Sequence, residues 1–205
     1  MTRSKEGYLQ ALLGEPSRYL GFMRESEAVR RDISPSVGLE MGHLLRFMAV
    51  SSRARRILEV GTSIGYSTAW LAMGAEVTDG LVDTVEIQER LLMEAVENFS
   101  ALGLSERIKV HLGKGEEILP DLQSGYDLIF LDGATQSLMA LYEASIPLLR
   151  PGGLLLIEDV LFAVSGKRKI QQSAMEELNA HVLQDDRFLT TMLHLGDGLL
   201  LCYKK

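Results

Sequence analysis

Residues 57–69 constrain the fold of this chain more than any other stretch. They read ILEVGTSIGYSTA, a short apolar run that reaches Gly61 and then, after three residues, Gly65 and a helix-like segment. The pattern predicts a buried strand, a glycine turn and a helix start. Glycines let a backbone bend sharply and let a ligand approach it, and the free N–H groups of a helix start attract an anionic group such as a carboxylate. The stretch is therefore typical of a cofactor cradle.

The spacing of these glycines separates several kinds of nucleotide site. A dinucleotide fingerprint requires G-x-G-x-x-G, and a P-loop ends in Gly-Lys followed by Ser or Thr. Here the order is Glu59-x-Gly61-x-x-x-Gly65, and Tyr66 stands where the lysine would be. A nicotinamide oxidoreductase is therefore the poorer interpretation. The order acid-x-Gly-x-x-x-Gly resembles motif I of the class I S-adenosylmethionine (SAM) methyltransferases.

Strand-like and helix-like patterns alternate along the rest of the chain, after about 50 helical residues. Strands are predicted at 56–60, 81–86, 107–112, 126–131 and 154–157, and helices at 36–51, 67–73, 88–102, 116–122, 136–149 and 170–183. Two last strands, 188–195 and 199–203, flank Gly196-Asp197-Gly198 as a hairpin with an antiparallel edge. Breaks are predicted at residues 14–17, at Ser34-Pro35-Ser36 and at Pro151-Gly152-Gly153. The alternation predicts a parallel α/β sheet in a single domain, with a helical cap over 1–52 and a Rossmann-like core over 53–205.

Polar residues follow the predicted strands where each strand ends. Ligands of such sheets bind beyond these carboxyl ends. Glu86 closes the second strand, Asp132 follows the fourth, and Glu158-Asp159 follow the fifth. Three carboxylates packed together repel unless a cation or a proton intervenes, and oxygen-only ligands suit Mg²⁺, Ca²⁺ or Mn²⁺. Either the three acids bind a divalent cation, or one caps the next helix while the others are solvated.

Composition limits the class of protein. The chain has 205 residues, a formal net charge of −7 and a single cysteine, Cys202. The charge disfavours nonspecific attraction to nucleic acid, and one cysteine permits no disulfide within the chain. No apolar run reaches the length of a signal peptide core or a membrane span. We expect a soluble cytoplasmic protein.

An ordered set of motifs resembles the cation-dependent O-methyltransferases of the catechol and caffeoyl-CoA type, including their small bacterial members. It comprises ILEVGTSIGYST, VEI, RIKVHLGKGEEILP, YDLIFLDGA, LLRPGGLLLIEDVLF and LHLGDGLLLC, and it spans about residues 34–205. The resemblance implies a seven-stranded, mostly parallel sheet with an antiparallel last strand, helices on both faces and extra N-terminal helices. It also implies SAM as the cofactor, a hydroxyl of a small molecule as the acceptor, and a homodimer.

The resemblance assigns roles to particular residues. Its cofactor-binding residues correspond to Val37, Glu59, Gly61, Ser63, Ser67, Glu86, Ile87, Gly113, Gly115, Glu116 and Asp132. The first five would lie against the methionine part, and Glu86 would bind the ribose. Ile87 would pack on the adenine, which Gly113, Gly115 and Glu116 would border. Asp132 would also be a metal ligand, and Glu158 and Asp159 take the other two ligand positions.

The chain departs from the family where a base and a cation are expected. Thr135 stands at the position of the family's lysine base, and Glu158-Asp159 replace an Asp-Asn pair. Lys167, in a Lys-Arg-Lys run, is a candidate base or anion clamp, although such a run is also typical of a solvated surface. Two alternatives follow. The acceptor is an RNA nucleoside or an amine, met by Arg53, Arg55, Arg56 and residues 167–169, or the chain binds SAM without catalysis.

Overall fold

The computed structural model describes residues 5–33, 37–166 and 168–205, which contain seven strands and nine α-helices. The helices are α1 (Lys5–Leu13), α2 (Arg18–Ala28), α3 (Leu39–Ser51), α4 (Tyr66–Thr78), α5 (Glu89–Ala101), α6 (Gly115–Ile118), α7 (Leu138–Ser145), α8 (Phe162–Ser165) and α9 (Lys169–Leu183). The strands are β1 (Arg56–Val60), β2 (Leu81–Glu86), β3 (Ile108–Leu112), β4 (Tyr126–Leu131), β5 (Leu149–Ile157), β6 (Phe188–Leu193) and β7 (Leu199–Lys204).

The strands form one mixed sheet in the order β3-β2-β1-β4-β5-β7-β6. Neighbours from β3 to β5 pair in parallel, while β7 runs antiparallel to both β5 and β6. The prediction of a seven-stranded Rossmann-like sheet with an antiparallel last strand is therefore confirmed. The hairpin does not place that strand at the edge, however, because β7 inserts between β5 and β6 and leaves β6 outermost.

The two faces of the sheet are covered by separate apolar layers. On β4, Leu128 and Phe130 pack into the layer that contains α3 and α4. Ile129 and Leu131 pack into the layer that contains α7 and α9. All four side chains are fully buried, which is why β4 reads as a continuous apolar run. Trp70 of α4 lies in the first layer, as expected of a core residue.

The predicted boundary at Pro151-Gly152-Gly153 is wrong. We expected a helix over 136–149 that stops there, but α7 ends at Ser145 and β5 already begins at Leu149. The three residues lie inside β5, opposite a register shift between Tyr126 and Leu128 of β4, and Gly152 has φ +76°. A glycine-rich irregularity in a strand and a turn share the same sequence signal.

Two further points concern the chain between these elements. The predicted break at Ser34-Pro35-Ser36 lies outside the described residues. The single-turn helix α8 directly after β5 was not predicted, because four residues carry no helical period. Among the described residues, no helix is long and apolar enough to cross a membrane.

Candidate active site at the carboxyl ends of the strands

The glycine turn after β1 needs the absence of side chains at two points. Gly61 has φ +108° and Gly65, which precedes the first residue of α4, has φ +90°. A Cβ at Gly61 would overlap the carbonyl oxygen of Asp132, and one at Gly65 would overlap the ring of Phe99. The turn therefore brings bare backbone and the N–H groups of the α4 start to the carboxyl edge of the sheet.

Glu59 lies beneath this turn and is fully buried. Its Oε2 accepts hydrogen bonds from the hydroxyls of Thr68 and Thr84, the latter at 2.7 Å. Its Oε1 has no hydrogen-bond partner among the described residues. Burial raises the pKa of Glu59 to about 7, and the hydroxyls of Thr68, Ser67 and Thr84 oppose this rise. A buried carboxylate oxygen without a donor fits a cationic group approaching from the turn.

Glu86 at the end of β2 is held by the backbone on both sides. It is 6% exposed, and its two oxygens accept the N–H of Ser63 at 2.8 Å and the N–H of Gln88 at 2.9 Å. These two bonds fix the carboxylate beside the glycine turn. The next residue, Ile87, is 58% exposed although it is apolar, so it offers an open apolar surface next to the acid.

The loop after β3 borders the same edge. Gly113, with φ +150°, donates its N–H to the Glu86 carbonyl at 2.9 Å. Gly115 begins α6 and is packed so closely that a Cβ there would overlap Leu141. Glu116 follows in the first turn of α6 and is partly buried. The residues predicted for the adenine end of the cofactor therefore lie along one border of the site.

Three carboxylates meet at the ends of β4 and β5. One oxygen each from Asp132, Glu158 and Asp159 lies within 4.8 Å of the others. The N–H of Asp132 donates to Val60 at 2.9 Å and the N–H of Glu158 donates to Leu131 at 3.0 Å, so neighbouring strands fix both acids. Carboxylate oxygens at this spacing are the donor set of a hard cation such as Mg²⁺, Ca²⁺ or Mn²⁺. The sequence prediction that these acids converge agrees with the structure.

The crowding of these acids changes their protonation. Burial, a hydrogen bond with Asp159 and the charge of Asp132 raise the pKa of Glu158 to about 11. Burial, with the charges of Asp159 and Glu59, raises the pKa of Asp132. Asp197, in the turn between β6 and β7, adds a further negative charge near Glu158 and Asp159. Without a cation, protons reduce the repulsion in the cluster.

The other predicted residues divide into those at this edge and those elsewhere. Val37 and Ser67 are buried, at 6% and 5% exposed. Lys167 lies outside the described residues. Arg53 and Arg55 precede β1 and Arg56 is its first residue, so all three lie at the opposite edge of the parallel sheet.

Two of the arginines at that opposite edge, Arg55 and Arg56, have side-chain partners there. The guanidinium of Arg56 donates to the carbonyl oxygens of Ser124 and Gln123 and lies 4.5 Å from the centre of the Tyr126 ring. Arg55 pairs with Asp79 at 3.4 Å. These side chains therefore do not face the candidate site, contrary to what methylation of an RNA would require of them.

Sequence reasoning missed several contributors. Thr68 and Thr84, the two donors to Glu59, each follow another polar residue, Ser67 and Asp83, so no local contrast in the sequence distinguishes them. Asp197 was recognised only as part of a turn. Its approach to Glu158 depends on how β7 inserts into the sheet, which the sequence does not indicate.

The sheet order, the glycine turn and the acid closing β2 define a Rossmann-like methyltransferase. Residues 15–205 match the model of the O-methyltransferase family, and the chain belongs to that family. The chain is 35% identical over 127 residues to a catechol O-methyltransferase of Mycobacterium tuberculosis. The aligned region covers 62% of this chain and 57% of that enzyme.

Two solved structures share the fold over almost the whole chain. An O-methyltransferase from Bacillus cereus in complex with SAH (S-adenosylhomocysteine, which is SAM without its transferable methyl group) has 25% identity and a TM-score of 0.86. The match covers 97% of this chain and 96% of that one. The cofactor-bound protein Rv0187 from MTB has 26% identity, a TM-score of 0.86 and coverage of 97% and 95%.

Proposed function

We propose that this protein transfers a methyl group from SAM to a hydroxyl of a small-molecule acceptor. One observation carries the proposal: the glycine turn lies between Glu86 at the end of β2 and the three carboxylates at the ends of β4 and β5. Ser63 donates to Glu86 at 2.8 Å, and Asp132 donates its N–H to Val60, the residue before Gly61, at 2.9 Å. A nucleotide seated on the turn thus has a ribose acceptor on one side and the acid cluster on the other.

The charges of the site suit this donor. SAM carries a positive sulfonium and an ammonium group, together with one carboxylate. The buried Oε1 of Glu59, which lacks a donor, and the nearby Asp132 are acids whose ionised forms a bound positive group would stabilise. The N–H groups at the start of α4 suit the carboxylate. The turn residues Gly61, Ser63 and Ser67 complete the part of the site proposed for the amino-acid tail.

The ribose and adenine are proposed to lie toward β2 and β3. Glu86 keeps free lone pairs on oxygens that each already accept one backbone N–H, so it can accept the ribose hydroxyls as well. Ile87 offers an apolar face for the base, and Gly113 and Gly115 present backbone without side chains along the same border of the site.

We also propose that Asp132, Glu158 and Asp159 bind a divalent cation. When bound, the cation supplies Lewis acidity that lowers the pKa of an acceptor hydroxyl. The ends of β4 and β5 hold the three carboxylates close together. Binding the cation would relieve the mutual repulsion of these carboxylates. Thr135 is 7% exposed and its hydroxyl is a poor base, so it does not replace the family's lysine. Lys167 remains a predicted helper, to be tested by Lys167→Met.

Three measurements test these proposals. Isothermal titration with SAM or SAH is expected to show binding, and no binding at millimolar ligand would reject the function. Methyl transfer to a panel of phenols and catechols is then measured with Mg²⁺, Mn²⁺ or Ca²⁺ and with chelator. Mn²⁺ titration of Glu158→Gln against the exposed control Glu97→Gln tests the cation site independently of turnover.

The panel also separates the rival functions. SAM binding without turnover on any acceptor or cation identifies a binding protein. Steep salt dependence of tRNA binding would favour an RNA acceptor. The positions of Arg53, Arg55 and Arg56 at the far edge argue against that second outcome.

The oligomeric state and compartment also remain proposals, namely a cytoplasmic homodimer. Four apolar side chains of α1 are 42–65% exposed, namely Tyr8, Leu9, Leu12 and Leu13. Their exposure supports a covered surface in the assembly. Light scattering coupled to size exclusion would return the mass of two chains.

A further inference from the structure

Within the helical cap predicted over 1–52, residues 5–33 are called the cap below, and hydrogen bonds attach them to both sides of Gly65. On one side, the hydroxyl of Tyr66 donates to the Glu15 carboxylate, at 3.1 and 3.2 Å from its two oxygens. Glu15 lies in the loop between α1 and α2 and also accepts a bond from Arg24 at 2.8 Å. Tyr66 is fully buried and begins α4. The cap therefore contacts the residue directly after the turn.

The second connection reaches the residue directly before Gly65. The hydroxyl of Tyr19 on α2 donates to Asn98 Oδ1 at 2.8 Å. The amide of Asn98 donates in turn to the carbonyl of Ile64 at 2.9 Å. Asn98 is only 8% exposed, so both halves of its side-chain amide are committed to this link. The cap is thus joined to the turn through α5 as well.

A third contact ties the cap to α4 one turn further on. The ring nitrogen Nε2 of His43 lies 3.0 Å from the carbonyl oxygen of Gly14. The same ring packs on Trp70, with 4.6 Å between the ring centres. Trp70 is the only tryptophan of the chain and is fully buried. Its fluorescence therefore reports on the junction between the cap and the cofactor helix.

The turn held in this way is conformationally demanding. Gly61, Ser63 and Gly65 all have positive φ, at +108°, +49° and +90°. Such a backbone keeps one shape only when its surroundings determine it. Ile64 and Tyr66 are the turn residues whose polar groups bond to the cap links, while Ser63 bonds to Glu86. The cap is therefore part of what keeps the cradle in shape.

We infer that cap docking and SAM binding are coupled through two positioning residues, Tyr66 and Asn98. The inference rests on the proposed function, since it takes the turn as the seat of the amino-acid tail of SAM. A docked cap holds the turn in its binding shape and raises the affinity for SAM. By reciprocity, SAM held on the turn stabilises the docked cap by the same factor.

A series of single-atom deletions tests this coupling. Tyr19→Phe and Tyr66→Phe each remove one hydroxyl of a cap link and keep the ring. Tyr126→Phe and Tyr142→Phe are matched controls, because these buried hydroxyls donate to Asp83 and Asp185, away from the cap. Each protein is titrated with SAH by calorimetry. Hydrogen exchange of residues 5–33 and the fluorescence of Trp70 are followed with and without SAH.

The expected results distinguish the links from the controls. SAH slows exchange across the cap of the wild-type protein and changes the Trp70 emission. Losing one link raises the Kd for SAH about threefold to tenfold, the scale of one net hydrogen bond, and reduces the protection of the cap. The controls lower the melting temperature without changing the Kd. Should Tyr66→Phe fail to fold, Glu15→Gln weakens the same link and is read in the same way.

Other outcomes separate this inference from the function on which it rests. Absence of SAH binding by the wild-type protein rejects the proposed function itself. If the wild-type protein binds SAH but hydrogen exchange in the cap is the same with and without SAH, the coupling is overturned and the proposed function is not. The coupling is also overturned by a Kd that is unchanged in Tyr19→Phe and Tyr66→Phe, or by one that rises equally in all four variants.

Discussion

Glu59 and Glu86 are the same residue type in two different electrostatic environments. Glu86 accepts two backbone N–H groups, one on each carboxylate oxygen, and is 6% exposed. Glu59 is fully buried and receives hydroxyl donors on one oxygen only, so its ionised form is disfavoured. Glu59 lies on β1 and Glu86 on the neighbouring strand β2. Because their environments differ, each acid needs its own test.

Glu86→Ala is expected to weaken SAH binding by about 1–3 kcal/mol, because hydrogen bonds to a charged acceptor are lost. The substitution also frees the N–H of Ser63 and so loosens the glycine turn. Calorimetric titration of SAH measures the effect. Glu97→Ala, an exposed glutamate on α5, is the control and should bind as the wild-type protein does. Equal affinity of both variants would remove Glu86 from the cofactor site.

Glu59→Gln is expected to change how stability depends on pH. The folded pKa of Glu59 is about 7 against an ordinary 4.5, so the folded state binds this proton more tightly than the unfolded state. Its contribution therefore favours folding below about pH 4.5 and is lost as the pH rises toward 7. The full loss is about 3 kcal/mol, from 1.36 kcal/mol for each pKa unit.

Denaturant unfolding from pH 4.5 to 8 checks this expectation. The free energy of unfolding of the wild-type protein minus that of Glu59→Gln should fall as the pH rises, and taking the difference removes most of the titration of the other acids. A difference that is flat or rises with pH would show that Glu59 is ionised in the folded protein throughout this range.

At the scale of elements, the junction from β1 through the turn to α4 was predictable, and the one after β5 was not. Residues 56–60 form β1 as predicted, because a glycine turn bounds the apolar run. Helix α4 was predicted at 67–73 but extends to Thr78, because Gly74 and Ala75 continue its buried face for a further turn. After β4, the predicted helix over 136–149 mistook the start of β5 for the end of α7. Local patterns mark turns well, but they do not show which strand a glycine-rich segment pairs with.

Gly61→Ala tests the junction itself. Alanine at positive φ costs about 1–2 kcal/mol from backbone strain alone. Gly103, with φ +71° and no atom within 4 Å of an added Cβ, isolates that strain, so Gly103→Ala is the matched control. At Gly61 the Cβ also overlaps the carbonyl of Asp132, so Gly61→Ala should destabilise the protein further and abolish SAH binding.

Chemical denaturation and SAH titration of the two variants give the comparison. Gly103→Ala should lose stability but keep the wild-type Kd. If Gly61→Ala costs no more than Gly103→Ala and still binds SAH, the close approach of the turn to β4 has no role in the cradle.

At the scale of the whole molecule, the sequence predicts the class of fold more completely than it predicts the polar contacts of the site. Strand and helix alternation, with buried runs such as residues 128–131, requires a parallel sheet with two covered faces. Convergence of Asp132 with Glu158 and Asp159 follows from that topology and was predictable. The cap links of Tyr19 and Tyr66 were not, because they join residues 79 and 51 positions apart along the chain through side chains. Long-range polar contacts leave no periodic signal in a single sequence.

Ligand stabilisation of the whole chain distinguishes the methyltransferase from the nicotinamide interpretation. A ligand present at 100 times its Kd stabilises the folded state by about 2.7 kcal/mol. In a domain of roughly this size each kcal/mol shifts the melting temperature by about 2–4 °C, so SAH should raise it by about 5–10 °C. NAD⁺ should leave it unchanged, because the turn lacks the second and third glycines that let a pyrophosphate approach the backbone. Both ligands carry adenosine, so only the group seated on the glycine turn differs. A shift with NAD⁺ and none with SAH would assign the turn to a dinucleotide and remove the basis for methyl transfer.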